Sequence, residues 1–242
     1  MCTAGFWKDQ KGTIHYFKNR MLKQMPKNQQ VDFSEKGIFI TDENGRFEGL
    51  NKYGLFAVSL TMEPDIKRKN PRPYDINKDI LLNFESVFEA LEFFQKESKR
   101  YDMGFIELLG NSKNVFYIEV TPNQLAYADL TNVAHFACTN HSQLLINQGN
   151  WQDITNSSHL RLLSAQTKLL KIKKYEDIKK MLSSHEHGKY GYSICSHDTK
   201  KSFTVGACIF TPKTMQADIC INAFPCENGF QTYKFHKKDK IL

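Results

Sequence analysis

The stretch Met1-Cys2-Thr3-Ala4 holds the most consequential residue of this chain. Loss of one methionine would leave Cys2 with a thiol and a free α-amine on the same residue, and that methionine is expected to be trimmed because the next side chain is small. An unperturbed α-amine titrates near pH ~8, so it accepts a proton close to neutrality. A thiol beside its own base is an activated nucleophile, in the manner of catalytic threonines paired with their own amine. The same position also suits an incidental residue at a frayed end. The remainder of the chain has to discriminate between the two.

The 242 residues suffice for one large domain or two small ones, at ~100–200 residues per domain. Hydrophobic residues make up 40% and charged residues 24%, a composition of soluble globular proteins. No run approaches the ~20 apolar residues that span a bilayer. Gly5-Phe6-Trp7-Lys8-Asp9 after the cysteine do not form the apolar segment of a secretory signal. A cytoplasmic protein without a membrane span is expected, with Cys2 at or near the true terminus. The net charge of +7 comes from lysines spread along the chain, the densest groups being Lys67-Arg68-Lys69, residues 171–174 and the tail Lys237-Lys238-Asp239-Lys240. No RNA or DNA motif accompanies them, so they read as a solvated surface, and no nucleic-acid partner is expected.

The six cysteines include no CxxC pair, which excludes zinc-ribbon and thioredoxin spacings. Cys208 and Cys220 lie in apolar runs and read as small core residues. His185-Glu186-His187 has ligand chemistry but no second pair at helical spacing, and reads as a solvated helix end. Glycine-rich phosphate loops are absent. No metal and no cofactor are expected.

Strand signals dominate the rest. Thr13-Ile14-His15-Tyr16-Phe17, Gly37-Ile38-Phe39-Ile40-Thr41 and residues 54–60 read as strands, the last apolar enough for burial on both faces. Residues 63–79 are polar, hold three prolines and read as a long loop or lid. A helix is expected over 80–99, with Ser86-Val87-Phe88-Glu89 as a capping box. Strands follow over 104–109, 115–120, 123–128 and 133–139, then helices over 158–170 and 175–183, then strands over 192–195, 203–211 and 216–223. Strands, helix, strands, helices, strands in that order favour an α+β layered fold with antiparallel sheets. An exposed N-terminal strand would put Cys2 on a sheet edge.

Ordered pieces along the chain carry a resemblance. They are Met1-Cys2-Thr3-Ala4, Phe17-Lys18-Asn19-Arg20, the turn Gly49-Leu50-Asn51-Lys52-Tyr53-Gly54-Leu55 and the strand Tyr117-Ile118-Glu119-Val120-Thr121-Pro122. Further along come Cys138-Thr139-Asn140-His141, Ser158-His159-Leu160-Arg161 and Ser193-Ile194-Cys195-Ser196-His197. Together they resemble the N-terminal-nucleophile hydrolases. The nearest branch holds acyl-coenzyme A:6-aminopenicillanic-acid acyltransferase, with bile salt hydrolases and penicillin V acylases more distant.

The resemblance implies a four-layer αββα sandwich of two antiparallel sheets, spanning residues 1–242 as one domain. It implies a cysteine amidohydrolase that cleaves a small N-acyl amide through a thioester. The rival readings are acyl transfer from a thioester to an amine, and a catalytically weakened binding protein on the same fold. Cys2 would be the nucleophile, Asn140 would hold the oxyanion, and Arg161, Arg20 and Asn19 would position Cys2 or its terminus. His141 and Thr61 would line the substrate site, Thr61 standing near the place of an oxyanion asparagine in the bile salt branch. The ligand would be a small acyl amide or acyl thioester, with homo-oligomerisation left open. The sequence departs from the family pattern at Met21, where the family has an aspartate beside the nucleophile's amine. With Met1 directly before Cys2, no propeptide is expected and aminopeptidase trimming is expected to suffice.

Overall fold

A computed structural model describes residues 1–62, 73–100, 104–122, 124–145, 156–188, 191–227 and 229–235. The first half of the chain winds mostly into one sheet. Strands β3 (Gln30–Ser34), β4 (Gly37–Thr41), β5 (Phe47–Asn51), β6 (Phe56–Thr61), β7 (Phe105–Gly110), β8 (Val115–Thr121) and β9 (Gln124–Asp129) follow one another in space as in sequence, a seven-stranded antiparallel meander. The other seven-stranded sheet is assembled from both ends of the chain. Its order is β10 (His135–Cys138), β1 (Cys2–Lys8), β2 (Ile14–Leu22), β12 (Ser202–Thr211), β13 (Gln216–Ile221) and β14 (Gln231–Lys234), with β11 (His197–Asp198) paired to β12.

Among the described residues four helices complete the layers: α1 (Pro73–Asn83), α2 (Val87–Glu97), α3 (Asn156–Leu169) and α4 (Tyr175–Leu182). Three apolar seams hold the layers together. Ile80, Leu91 and Phe94 pack α1 and α2 onto Phe105, Leu109 and Ile118 of the meander. Phe6, Tyr16, Cys208 and Phe210 meet Ile38, Leu50, Phe56 and Val58 between the two sheets. Trp7, Phe17 and Ile209 receive Ala165 and Leu169 of α3 and Ile178 and Leu182 of α4. This is the expected α+β sandwich, αββα, and period-two alternation explains it: along β1, Ala4 and Phe6 face the opposite sheet while Trp7 faces the helices.

The turn between β5 and β6 shows how local sequence locks this arrangement. Asn51 Oδ1 accepts the N–H groups of Tyr53 and Leu55, both at 3.0 Å, and Gly54 adopts φ +86°, a conformation that suits glycine. The Asn51 amide then donates to Leu81 O (3.2 Å) and Phe84 O (2.8 Å), tying the hairpin to the end of α1.

Several expectations change. The loop expected over 63–79 holds helix from Pro73 onward, since proline fits a first helical turn; residues 63–72 lie outside the described residues. The single helix expected over 80–99 is two, because Ser86 caps a new start by accepting the Phe88 N–H at 3.2 Å. Residues 192–195 form turns and bends rather than a strand. There the Ser193 hydroxyl binds Gly188 O (2.6 Å) and accepts the His187 N–H (3.0 Å), which ties the backbone up locally. The N-terminal strand is not an edge strand: β1 runs between β10 and β2, with the β10 pairing ending at Ala4, just short of Cys2. No helix among the described residues is long and apolar enough to cross a membrane.

Candidate active site

Strand pairing sets the surroundings of Cys2. In the β1–β2 register Cys2 lies opposite Arg20, Thr3 opposite Asn19 and Ala4 opposite Lys18. Paired residues share a sheet face, so Cys2, Lys18 and Arg20 point into the seam between the sheets, while Thr3 and Asn19 point toward the helices. Cys2 is 8% exposed and packs with Ala4, Leu60, Met62, Ile106, Tyr117 and Cys138. The strand extends one residue further back, for the Met1 ammonium donates to Met21 O (2.8 Å) and the Met21 N–H to Met1 O (2.7 Å).

Two side chains from distant segments close on the Cys2 backbone. The Cys2 N–H donates to Asn140 Oδ1 at 2.6 Å. Arg161, from α3, donates to Cys2 O and, at 3.1 Å, to Thr3 Oγ1 through Nη1, and to Asn140 Oδ1 at 3.2 Å through Nη2. Asn140 Nδ2 donates to Thr61 O at 2.6 Å. These donors and acceptors fix which end of the Asn140 amide faces Cys2, since two N–H groups converge on its oxygen. Behind it, Ser158 Oγ accepts the Asn140 N–H (3.0 Å) and lies 2.8 Å from His141 Nδ1, which is 3.1 Å from Thr139 Oγ1. His141 therefore braces the segment that carries Asn140, with its ring against that of His159 at 4.1 Å.

The seam beside Cys2 carries a buried charge network. The Lys18 ammonium pairs with Glu48 and donates to Ser59 O at 2.5 Å, both side chains fully buried. Glu48 also receives Arg46 Nε at 2.6 Å, and Arg46 Nη1 donates to Gln29 Oε1 at 2.7 Å. Burial pushes the Glu48 carboxyl up, but the charges of Arg46, Lys18 and Arg20 outweigh it and hold Glu48 at about 2. Glu107 is also fully buried; burial pushes it up to about 8 against the opposing hydrogen bond from Ser59 Oγ and the charge of Lys18. Burial likewise pushes the Cys2 thiol up, yet the Lys18 ammonium, the terminal ammonium and a backbone N–H from Met21 together bring it below its ordinary value. Cys138, in the same apolar cluster, is pushed up by burial and by the Glu119 charge. The two thiols of this cluster are thus shifted in opposite directions.

The structure brings together Cys2, Asn140, Arg161 and Thr61, with His141 one residue away. The side chains of the other two expected residues, both on β2 beside Cys2 and Thr3, have partners of their own. Asn19 points into the helix layer and donates to Leu182 O at 2.9 Å. Arg20 shares the face of Cys2, but its guanidinium engages Asp42 Oδ2 (2.5 Å) and Gln29 Oε1 (3.2 Å). Thr61 meets Asn140 through its carbonyl oxygen, an acceptor, rather than as a donor. Lys18 is the residue that sequence reasoning passed over. Its signal was present, since a residue two places before Arg20 must share Arg20's face in a strand.

A surface hollow of about 630 Å³ is lined by residues including Trp7, His15, Tyr175 and Thr211. It lies at the far end of β1 from Cys2, roughly 17 Å along the strand at about 3.4 Å per residue, so it does not open onto the thiol.

The sequence model of the acyl-coenzyme A:6-aminopenicillanic acid acyl-transferase family matches residues 11–224. No curated protein matches the sequence. Among solved structures, the chain is similar to an N-acylethanolamine-hydrolyzing acid amidase ortholog from Caenorhabditis elegans, at TM-score 0.61 and 16% identity over 87% of this chain and 93% of that one. It is also similar to penicillin V acylase from Agrobacterium tumefaciens, at TM-score 0.57 and 16% identity over 91% and 83%. The C2A mutant of conjugated bile acid hydrolase from Clostridium perfringens aligns at TM-score 0.55 and 12% identity over 98% and 97%. At these identities the structural likenesses speak to the fold.

Proposed function

The chain belongs to the acyl-coenzyme A:6-aminopenicillanic acid acyl-transferase family, and from that premise we propose that it is an N-terminal cysteine amidohydrolase acting on a small N-acyl amide. The observation that carries this reading is the clamp on Cys2: its nitrogen lies 2.6 Å from Asn140 Oδ1, Arg161 holds its carbonyl, and its thiol shares a buried face with the Lys18 ammonium. With Met1 attached, the Cys2 nitrogen is an amide and cannot act as a base. Hydrolytic removal of Met1 turns it into an amine already held by Asn140.

In the mechanism we infer, the Cys2 thiol gives its proton to that amine as Sγ bonds to the acyl carbonyl carbon. The second N–H of Asn140 Nδ2, beyond the one given to Thr61 O, stabilises the oxyanion. Removal of such a donor typically costs roughly 10²–10³ in rate. The tetrahedral adduct collapses, the C–N bond breaks, and the ammonium of Cys2 protonates the departing amine. Water, deprotonated by the same amine, then attacks the thioester and releases the acid and the free thiol. Lys18 favours the thiolate throughout. Met21 stands where a carboxylate would steady the amine, and Asn140 Oδ1 takes that part here.

The activity in the family's name favours a second reading, in which an amine rather than water accepts the acyl group from a thioester donor. One experiment addresses both. Met1-free protein and its Cys2→Ala variant are incubated with a panel of N-acyl amides, with an electrophilic acyl probe, and with an acyl thioester plus an amine. The expected result is a probe adduct on Cys2 by intact mass, and turnover that the variant lacks. Free acid indicates hydrolysis, and a new amide indicates transfer. Folded, Met1-free protein without any adduct on Cys2 sinks both readings.

A further inference from the structure

Away from Cys2, on the helix-covered side of the molecule, two imidazoles and two thiols converge. His185, Cys195, His197 and Cys226 each present a ligand atom, and these atoms all lie within 4.8 Å of one another. The two sulfurs are 3.7 Å apart, and His197 Nε2 lies 3.8 Å from Cys195 Sγ and 3.1 Å from Cys226 Sγ. A tetrahedral zinc ion with bonds of about 2.3 Å to sulfur and about 2.0–2.1 Å to nitrogen sets two sulfurs about 3.8 Å apart and a sulfur about 3.6 Å from a nitrogen. The sulfur–sulfur separation falls close to its edge, and the two sulfur–nitrogen separations bracket theirs.

The surroundings of both rings fit the same chemistry. His185 Nδ1 lies 2.7 Å from Cys195 O, so a proton on Nδ1 leaves the Nε2 lone pair free to bind. His197 Nδ1 faces the Glu227 carboxylate at 3.5 Å while its Nε2 faces the sulfurs. A backbone carbonyl or carboxylate on the far nitrogen is the usual partner of a metal-bound histidine, fixing its tautomer and orientation. The His197 ring is further held flat against Phe224, at 3.7 Å and 10° between planes.

The scaffold delivers each ligand separately. His185 follows α4, and the neighbouring Ser184 O accepts the Cys195 N–H at 3.1 Å. His197 sits in β11, paired with Phe203. Cys226 lies in the turn closed by Glu227 N–H to Phe224 O at 3.0 Å.

We propose that His185, Cys195, His197 and Cys226 form a closed, structural zinc(II) site. Two thiolates and two imidazoles suit a borderline-soft divalent ion, and four protein ligands leave no position for a substrate. Both thiols lose their protons to solvent on binding, so two thiolates balance the charge of the ion. The site cross-links the segment after α4, the turns before β12 and the turn after β13, where regular hydrogen-bond ladders are few. It also stiffens the stretch whose Gly191 O accepts the Ser157 hydroxyl, the hydroxyl that in turn lies 3.4 Å from Arg161 Nε.

The test uses the untagged full chain in reducing buffer. Metal content is measured after purification with zinc, and the chelator-stripped protein is titrated with cobalt(II). The expected result is about one zinc per chain, with the charge-transfer and d–d bands of tetrahedral cobalt bound to thiolate. Cys195→Ser combined with Cys226→Ser should lose both. Cys226→Ser alone, at an exposed position, should keep the fold and weaken the charge-transfer band. Glu227→Gln should weaken zinc binding by about tenfold, the lower end of the usual effect of such partners. His187→Ala, the exposed neighbour, should change nothing. Folded wild type that retains no zinc and gives no thiolate–cobalt band overturns the proposal, as does unchanged metal binding in the double variant. The readout is independent of turnover at Cys2, so failure of one proposal does not touch the other.

Discussion

Two cysteine regions of this molecule have opposite surroundings. Cys2 lies in the seam between the sheets, where its strongest polar neighbour is the ammonium of Lys18, a group with protons to give and no lone pair. Cys195 and Cys226 lie beside two imidazoles whose nitrogens converge on the sulfurs. A fixed cation acidifies a thiol and leaves it a free nucleophile, whereas converging lone pairs hold a cation between them and make the sulfur a ligand. The chemistry of a cysteine thus follows from the kind of neighbour, because burial alone only pushes thiols up, as at Cys138 and Cys208.

The sharpest way to break this comparison is to exchange the losses. Cys2→Ala should lower turnover by more than roughly 10³-fold, in keeping with removal of a covalent nucleophile, and leave zinc content intact. Cys195→Ser combined with Cys226→Ser should do the reverse, losing metal while Met1-free protein still forms the adduct at Cys2. Any variant that loses both functions while folded would merge the two regions into one.

Lys18→Met tests the cation. It leaves Glu48 buried without one of its partners, and unfolding by denaturant should show a loss of about 3–5 kcal/mol. In the folded variant, alkylation of Cys2 should require higher pH than in wild type. An unshifted alkylation profile would remove Lys18 from the account of Cys2.

A smaller effect concerns the carboxylates lining the same seam. Glu107 keeps its proton to about 8 in the folded chain, against 4.5 ordinarily. Between those values the native state holds a proton that the unfolded chain has released, so stability falls as pH rises through the window. Glu107→Gln should flatten that fall. Glu48, held at about 2, has the opposite sign: its contribution is complete above 4.5 and fades as pH drops toward 2. Unfolding curves across pH for wild type and Glu107→Gln check both slopes, and identical slopes would refute the neutral Glu107.

The smallest effect is at Thr3. Thr3→Val removes one acceptor of Arg161 but leaves its bonds to Cys2 O and Asn140. The expected cost is about 1 kcal/mol, measured by chemical denaturation, with turnover little changed.

Much of this was legible in the chain itself. Apolar runs announced β4, β6, β7, β8 and β12, and the Ser86 cap lay within the stretch read as one helix over 80–99, because these signals act within a few residues. Strands β3 and β14, largely exposed and polar, gave no such signal. The motif order pointed to Cys2, Asn140 and Arg161, yet it chose Asn19 and Arg20 over Lys18. Which face a residue takes follows from strand register, and register is set by partners far along the chain.

By itself, then, the sequence determined the layered α+β class and singled out Cys2, Asn140 and Arg161 as candidates. Tertiary structure alone decided what those groups touch: Cys2 meets Asn140 across 138 residues and Arg161 across 159. It also gathered His185, Cys195, His197 and Cys226, whose spacings match no ligand motif. The physical reason is the range of the forces. Backbone geometry and side-chain periodicity are local and can be read in order, whereas charge pairing, burial and ligand convergence depend on distances that exist only once the sheets have stacked.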